Sequence, residues 1–177
     1  PFRGRVIEVF HPGSVVEGKP RQSAVHDMVV RGMVALTGET TEAAAWKRFF
    51  GPGDVVGVKG CPVGRPNSIS QRETLREVLR GLMLAGVKPG NIVFIERYEV
   101  ELLECGFDKI LPSGARWAVG SIEYDGVQVK TDGYDTSRFV EFPWVATGAD
   151  AKNVVHRRSH LSIPVSHVVD KIVNVCV

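Results

Sequence analysis

The sequence predicts an α/β fold: a mostly parallel sheet flanked by helices, with an inserted antiparallel β-hairpin. Two observations predict the sheet and one predicts the hairpin. Short apolar runs, such as "DVVGVKG" and "NIVFIER", alternate with longer stretches whose apolar residues recur at helical spacing. That order, strand then helix then strand, argues for parallel strands joined by crossovers. Between two alternating runs in "RWAVGSIEYDGVQVKTDG" stands Asp125-Gly126, a strong short hairpin signal.

Each element follows in order. "RVIEVFHPG", Arg5 to Gly13, reads as a short first strand closed by Pro and Gly. Val25, Met28, Val29, Met33 and Leu36 then recur at helical spacing, and Gly38 is the expected stop. "TTEAAAWKRFFGPG" predicts a shorter helix with Trp46, Phe49 and Phe50 on one face, ended at Gly51-Pro52-Gly53. "DVVGVKG" is the second strand. Ser70 and Glu73 have capping-box spacing, which predicts the start of the next helix at Ser70. Leu75, Val78, Leu79 and Leu82 form its buried stripe, and Gly86 ends it.

"NIVFIER", Asn91 to Arg97, is a continuous apolar strand of the kind covered on both faces. "YEVELLECGF" predicts a helix ending at Gly106. The hairpin insertion is expected at about 116–132, turning at Asp125-Gly126, and 150–162 reads as polar and irregular. "SIPVSHVVDKIVNVCV" returns to strand after a break at Pro164, and 168–177 is expected as a buried strand of the parallel sheet. With no internal repeat or low-complexity linker, residues 1–177 read as a single domain.

Composition narrows the function. The 177 residues are 44% hydrophobic and 24% charged, enough for one substantial core. A formal charge of +2, spread along the chain, gives no footprint for nucleic acid. No apolar run approaches the ~18 residues of a membrane span. Cys61, Cys105 and Cys176 stand far apart without a C-x-x-C, so free thiols are expected. The chain starts at Pro1 without a signal-like segment, which fits a cytoplasmic protein or an exported one whose signal has been removed. The abrupt apolar finish suggests a piece of a longer chain.

In open parallel sheets, ligands bind beyond the carboxyl ends of the strands. His11 follows the first strand; Lys59, Gly60, Cys61 and Arg65 follow the second; Glu96 and Arg97 end the third. A cation, flexible backbone amides and a nearby helix start suit a carboxylate or phosphate. Lys59, Gly60 and Arg65 are therefore the expected ligand-binding residues, and His11, Glu96 and Cys61 the catalytic candidates. A thiol beside two cations is the ordinary setting of a reactive thiolate. The alternative for Cys61 is a small buried apolar residue, while Cys105 and Cys176 are expected in the core. The loop is neither a P-loop nor a dinucleotide fingerprint, because its lysine precedes the glycines.

His156 and His160 have the spacing of a helical metal pair, with His167 and Asp170 following. The intervening Arg157 and Arg158 disfavour a dication, and no metal is expected. Trp117, Tyr124, Tyr134 and Trp144 surround the hairpin and the segment after it, as a ligand wall, core or interface.

Val55 to Glu96 resembles domain-of-unknown-function family 362. "VVGVKG", "SQRETLREVLRGLMLAGV" and "NIVFIE" follow that family's strand ending in Lys, helix, Gly-Val turn and strand closing on an acid. "SHVVDKIVNVCV" is similar to the family's strand before a Lys-rich, His-containing loop, which would begin after Val177. Lys59 and Glu96 match the pattern; the family's Lys-Pro-Asn is Lys59-Gly60-Cys61 here. The resemblance implies an α/β fold and an association with ferredoxin-like iron–sulfur modules, and it brings no established activity. The expectation is a ligand-binding α/β domain with a small anionic ligand at the carboxyl edge, part of a redox-linked enzyme. No cofactor is expected bound within this chain. The alternative is a non-catalytic binding or assembly module.

Overall fold

The computed structural model describes residues 2–121, 133–145 and 147–177. Its centre is a four-stranded, all-parallel sheet in the order β5-β4-β3-β8. The strands are β3 (Val56–Lys59), β4 (Ile92–Tyr98), β5 (Arg116–Ser121) and β8 (Lys171–Asn174). Lys59 pairs with Ile95 of β4 on one side and with Asn174 of β8 on the other. β4 is central, and of its residues only Arg97 is not buried, as its continuous apolar run predicts.

Helices α1 (Gln22–Thr37), α2 (Glu42–Lys47), α3 (Arg72–Leu84) and α4 (Glu99–Glu104) accompany the sheet. The stripe Leu75, Val78, Leu79 and Leu82 of α3 is buried against Val56, Val58, Ile92 and Phe94. Trp46 of α2, Leu102 of α4, Phe107 and Val175 complete this core. The stops of α1, α3 and α4 fall where the glycines predict them, whereas α2 ends at Lys47, short of Phe49, Phe50 and the expected stop at Gly51-Pro52-Gly53. Gly38 (φ 77°) returns its N–H to Val34 O at 2.8 Å, and Gly86 (φ 97°) and Gly106 (φ 64°) adopt the same left-handed conformation.

Among the described residues, two pairs of strands are antiparallel, besides an isolated Gly64–Ser68 bridge. One is a small β1–β2 hairpin (Val15–Val16 with Lys19–Pro20). The other is a ribbon of β6 (Tyr134–Glu141) and β7 (Arg158–Ser162). The expected turn at Asp125-Gly126 lies outside the described residues, but its first arm is β5, which runs parallel to β4. The ribbon's second strand falls in a segment whose polarity concealed it.

Three expectations need correction. The run from Arg5 to Gly13 is not a strand of the sheet. It lies across α1, with Arg5 donating to Leu36 O at 3.0 Å and Val9 placed against Gly32, and it leaves Val6 89% and Phe10 81% exposed. Residues 168–177 do rejoin the parallel sheet, but as an edge strand: Ile172 is 46% and Val177 66% exposed, and Val175 alone of the run is buried. One turn of π-helix, Pro164–Val168, precedes it. Finally, the capping box does not form. α3 begins after Gln71, and Ser70 is fully buried with its hydroxyl engaged elsewhere.

Candidate functional site

The carboxyl edge of β3 and β4 holds an ion pair. Lys59 Nζ lies 2.8 Å from Glu96 Oε2 and also donates to Gly60 O. Glu96 Oε1 accepts from the Arg97 amide at 2.8 Å. The Glu96 side chain is 3% exposed and that of Lys59 34%, so the carboxylate is the desolvated partner and the ammonium its link to solvent. A buried carboxylate with a cation and a backbone donor is satisfied; without the cation it would be a costly isolated charge.

Gly60 is required by packing. A Cβ there would stand 2.8 Å from Phe94 Cζ and 3.1 Å from Phe107 Cε2. Those rings pack with centroids 5.1 Å apart, and only a glycine lets the chain cross them this closely. The loop that follows is held at both ends. Arg65 Nε donates to Glu104 Oε2 at 2.6 Å and Arg65 Nη1 to Glu101 Oε1 at 2.8 Å. Glu104 above all, with Glu101, raises the pKa of the guanidinium further. Arg65 therefore anchors the loop to α4, and its forked donors are occupied by protein carboxylates.

Ser70 anchors the other end. Its hydroxyl accepts from the Cys61 amide at 2.7 Å and donates to Val175 O at 2.6 Å, while Ser70 N donates to Cys61 O at 3.0 Å. One side chain thus joins the loop to β8. Cys61 is half-buried, Cys105 is buried as expected, and Cys176 is exposed, contrary to its expected place in the core. Burial pushes the Cys105 thiol up.

His11 is not part of this rim. Its Nδ1 accepts from Gly13 N at 3.0 Å, and it borders a separate depression with Arg21, Ser23, Ala24 and Asp27. The first strand that would have carried it to the edge does not exist.

A different histidine stands near the rim. A pocket of about 240 Å³ lies between the sheet edge and the ribbon, lined by Lys59, Glu96, Arg97, Tyr134, His160 and Ser162, among others. Gly120 of β5 makes this approach possible: a Cβ there would stand 3.3 Å from the Cβ of Ser162. Arg97 Nε donates to Tyr134 Oη at 3.2 Å, and the Arg97 guanidinium lies over the Tyr98 ring at 4.7 Å. His160 Nδ1 lies 3.0 Å from Asp135 O. A carbonyl only accepts, so Nδ1 carries a proton and donates to it. No described residue hydrogen-bonds the ring's buried Nε2.

Beside this pocket, Asp135 is buried and fixes the ribbon. It accepts from Ser137 N at 2.9 Å and Ser137 Oγ at 2.6 Å, and His167 Nε2 lies 2.9 Å from Oδ2. The Ser137 hydroxyl foremost, with the Ser137 amide, Ser166 and His167 adding to it, lowers its pKa to about 2 against the cost of burial.

His156 is engaged locally with Asp150 and Asn153, apart from His160. Among the described residues no group of three His, Cys, Asp or Glu is placed to hold a metal ion. No helix among them is long and apolar enough to cross a membrane. A larger cavity, about 920 Å³, lies away from the Lys59–Glu96 pair, between the amino-terminal segment, α1 and the start of α3. Its walls include Ile7, Val9, Val25, Met28, Val29 and Ile69, together with Lys19, Arg72 and Glu73. No family model, no curated protein and no solved structure matches the chain.

The sequence pointed to Lys59 and Glu96, and the structure brings them together. It separates them from His11, places Gly60 against the Phe94 and Phe107 rings, and pairs Arg65 with Glu101 and Glu104. Tyr134 was legible as an aromatic near the hairpin; His160 was legible only as half of a metal-like spacing. Their position opposite Lys59 depends on the ribbon folding back over the edge, which no local pattern encodes.

Proposed function

We propose that this chain is a ligand-binding α/β domain that takes a small anionic molecule in the pocket between the carboxyl edge of the sheet and the β6–β7 ribbon. One observation carries this reading: the basic side chains of Lys59 and Arg97 line one pocket at the carboxyl edge together with Tyr134 and His160. A volume of about 240 Å³ with basic side chains in its lining suits a compact carboxylate or phosphate rather than a large cofactor. Lys59 and Arg97 take the ligand's charge. Tyr134 orients Arg97, and Glu96 and His160 hold or exchange a proton at the ligand. The resemblance at Lys59 and Glu96 supports the same location. Its association with ferredoxin-like modules supports a place for this domain in a redox-linked enzyme.

A second reading, a non-catalytic assembly module, is favoured by exposed apolar side chains at the end of β6 and just after it. Val140 is 61% and Trp144 62% exposed, with Phe142 stacked at 4.9 Å on Trp144. Titration with phosphate and small carboxylates, comparing Arg97 and Arg65 variants, separates the two readings. Anion binding lost with Arg97 and kept without Arg65 supports the pocket. No anion binding, together with self-association lost on Trp144→Ser, supports assembly.

A further inference from the structure

The register of β3 and β8 brings together two thiols from distant parts of the sequence. Lys59 stands opposite Asn174 in parallel pairing, and Cys61 and Cys176 each lie two residues further along. The pairing continues past the strand ends. Val175 N donates to Lys59 O at 2.8 Å. The next ladder bond would run from Cys61 N to Val175 O, and here the Ser70 hydroxyl bridges those two atoms. The strands are spread by one hydroxyl, but their order is kept.

The side chains fall on the same face. Strand residues alternate with a period of two, so Cys61 follows Lys59 and Cys176 follows Asn174. Asn174 Nδ2 lies 3.3 Å from Cys176 Sγ, as residues on one face require, while the intervening Val175 is buried in the core on the other. Neighbouring strands run about 4.7–4.9 Å apart. A disulfide needs roughly 4.4–6.8 Å between Cα atoms, which leaves room for the Ser70 bridge. Cys176 is exposed and Cys61 half-buried, so a small reagent reaches the first and the second lies beside it; Cys105 is buried in the core.

We propose that Cys61 and Cys176 form a redox-active dithiol at the carboxyl edge of the sheet, oxidised by a small-molecule disulfide of the glutathione type. The Cys176 thiolate attacks one sulfur of that disulfide; its S–S bond breaks, and one thiolate leaves. The Cys61 thiolate then attacks the Cys176 sulfur, the mixed S–S bond breaks, and the second thiolate leaves. The two protein thiols are oxidised, the small disulfide is reduced to two thiols, and the two protons pass to the departing thiolates. The new bond ties edge strand β8 to β3 beside Lys59. The proposal does not depend on the pocket's ligand.

The test incubates the folded chain with oxidised glutathione, quenches with acid, and counts thiols in denaturant with mass analysis of the digest. Free thiols should fall from three to one per chain, with a Cys61–Cys176 linked peptide and no retained glutathione. The Cys61→Ser variant should instead keep glutathione on Cys176, since the resolving thiol is gone. Wild type that retains glutathione on either cysteine, links two chains through Cys176, or keeps all three thiols free would overturn the proposal. Dithiothreitol should restore three thiols and the original thermal midpoint.

Discussion

Lys59 and Glu96 meet at 2.8 Å across neighbouring parallel strands, and only the lysine is open to solvent. The two sides of this pair are therefore unequal. Lys59→Met leaves a buried carboxylate without its cation and should cost about 3–5 kcal/mol. Glu96→Gln leaves an ammonium that can turn to water and should cost clearly less. In a urea-denaturation cycle the double variant should be more stable than Lys59→Met alone. Equal losses for the two single variants would mean that the carboxylate is not the dependent partner.

Ser70 is the hinge between the loop and the edge strand. Ser70→Ala removes the partner of both the Cys61 amide and the Val175 carbonyl, and should destabilise by roughly 1–3 kcal/mol. Hydrogen exchange at the Cys61 amide should quicken more than at the amides of β4. Protection unchanged at Cys61 would show that the bridge is dispensable.

Gly60 should behave as a packing residue. Gly60→Ala forces a methyl against the Phe94 and Phe107 rings and should cost about 1–3 kcal/mol by thermal or chemical unfolding. A neutral result would return Gly60 to consideration as a ligand-facing residue.

Acid should weaken the fold through depressed carboxyl groups, Asp135 and Glu77 among them. Asp135 is held at about 2, chiefly by Ser137, against its ordinary 3.8. Burial pushes Glu77 up, but hydrogen bonds from His26, Arg80 and Gln22 with the Arg80 charge outweigh it and hold the group below its ordinary 4.5. A depressed folded value means that each carboxylate stabilises the fold above its unfolded value, and that this is lost as pH falls through the folded one. Stability should therefore decline below about pH 5, with the Asp135 part disappearing between 3.8 and about 2. Asp135→Asn should flatten that last part of the curve; an unchanged slope would contradict the assignment.

The sheet was legible because its signals are local. Val56 and Val58, then Ile92 to Ile95, are short apolar runs between helical stripes, and burial on both sides of β4 follows from them. Arg5 to Gly13 and 168–177 carry equally apolar runs, yet one becomes a strap over α1 and the other an exposed edge. What distinguishes these fates is which neighbours are left to pair with, a property of the assembled sheet. The site divides in the same way. Lys59 and Glu96 are read from strand ends. Arg65 looks the same in sequence as a ligand-binding arginine, but Glu101 and Glu104 reach it only when α4 packs beside the loop. His160 enters the rim through a ribbon whose polar second strand gives little periodic signal.

Calorimetric titration with phosphate and with small mono- and dicarboxylates, on wild type, Arg97→Met and Arg65→Met each first shown to be folded, probes the anion pocket. Loss of a charged hydrogen bond is worth about 1.5–3 kcal/mol, so Arg97→Met should weaken binding at least tenfold. Arg65→Met, whose guanidinium faces Glu101 and Glu104, should leave affinity unchanged. Binding that is lost with Arg65 and indifferent to Arg97, or absent from wild type for every anion tried, would contradict an anion site in this pocket.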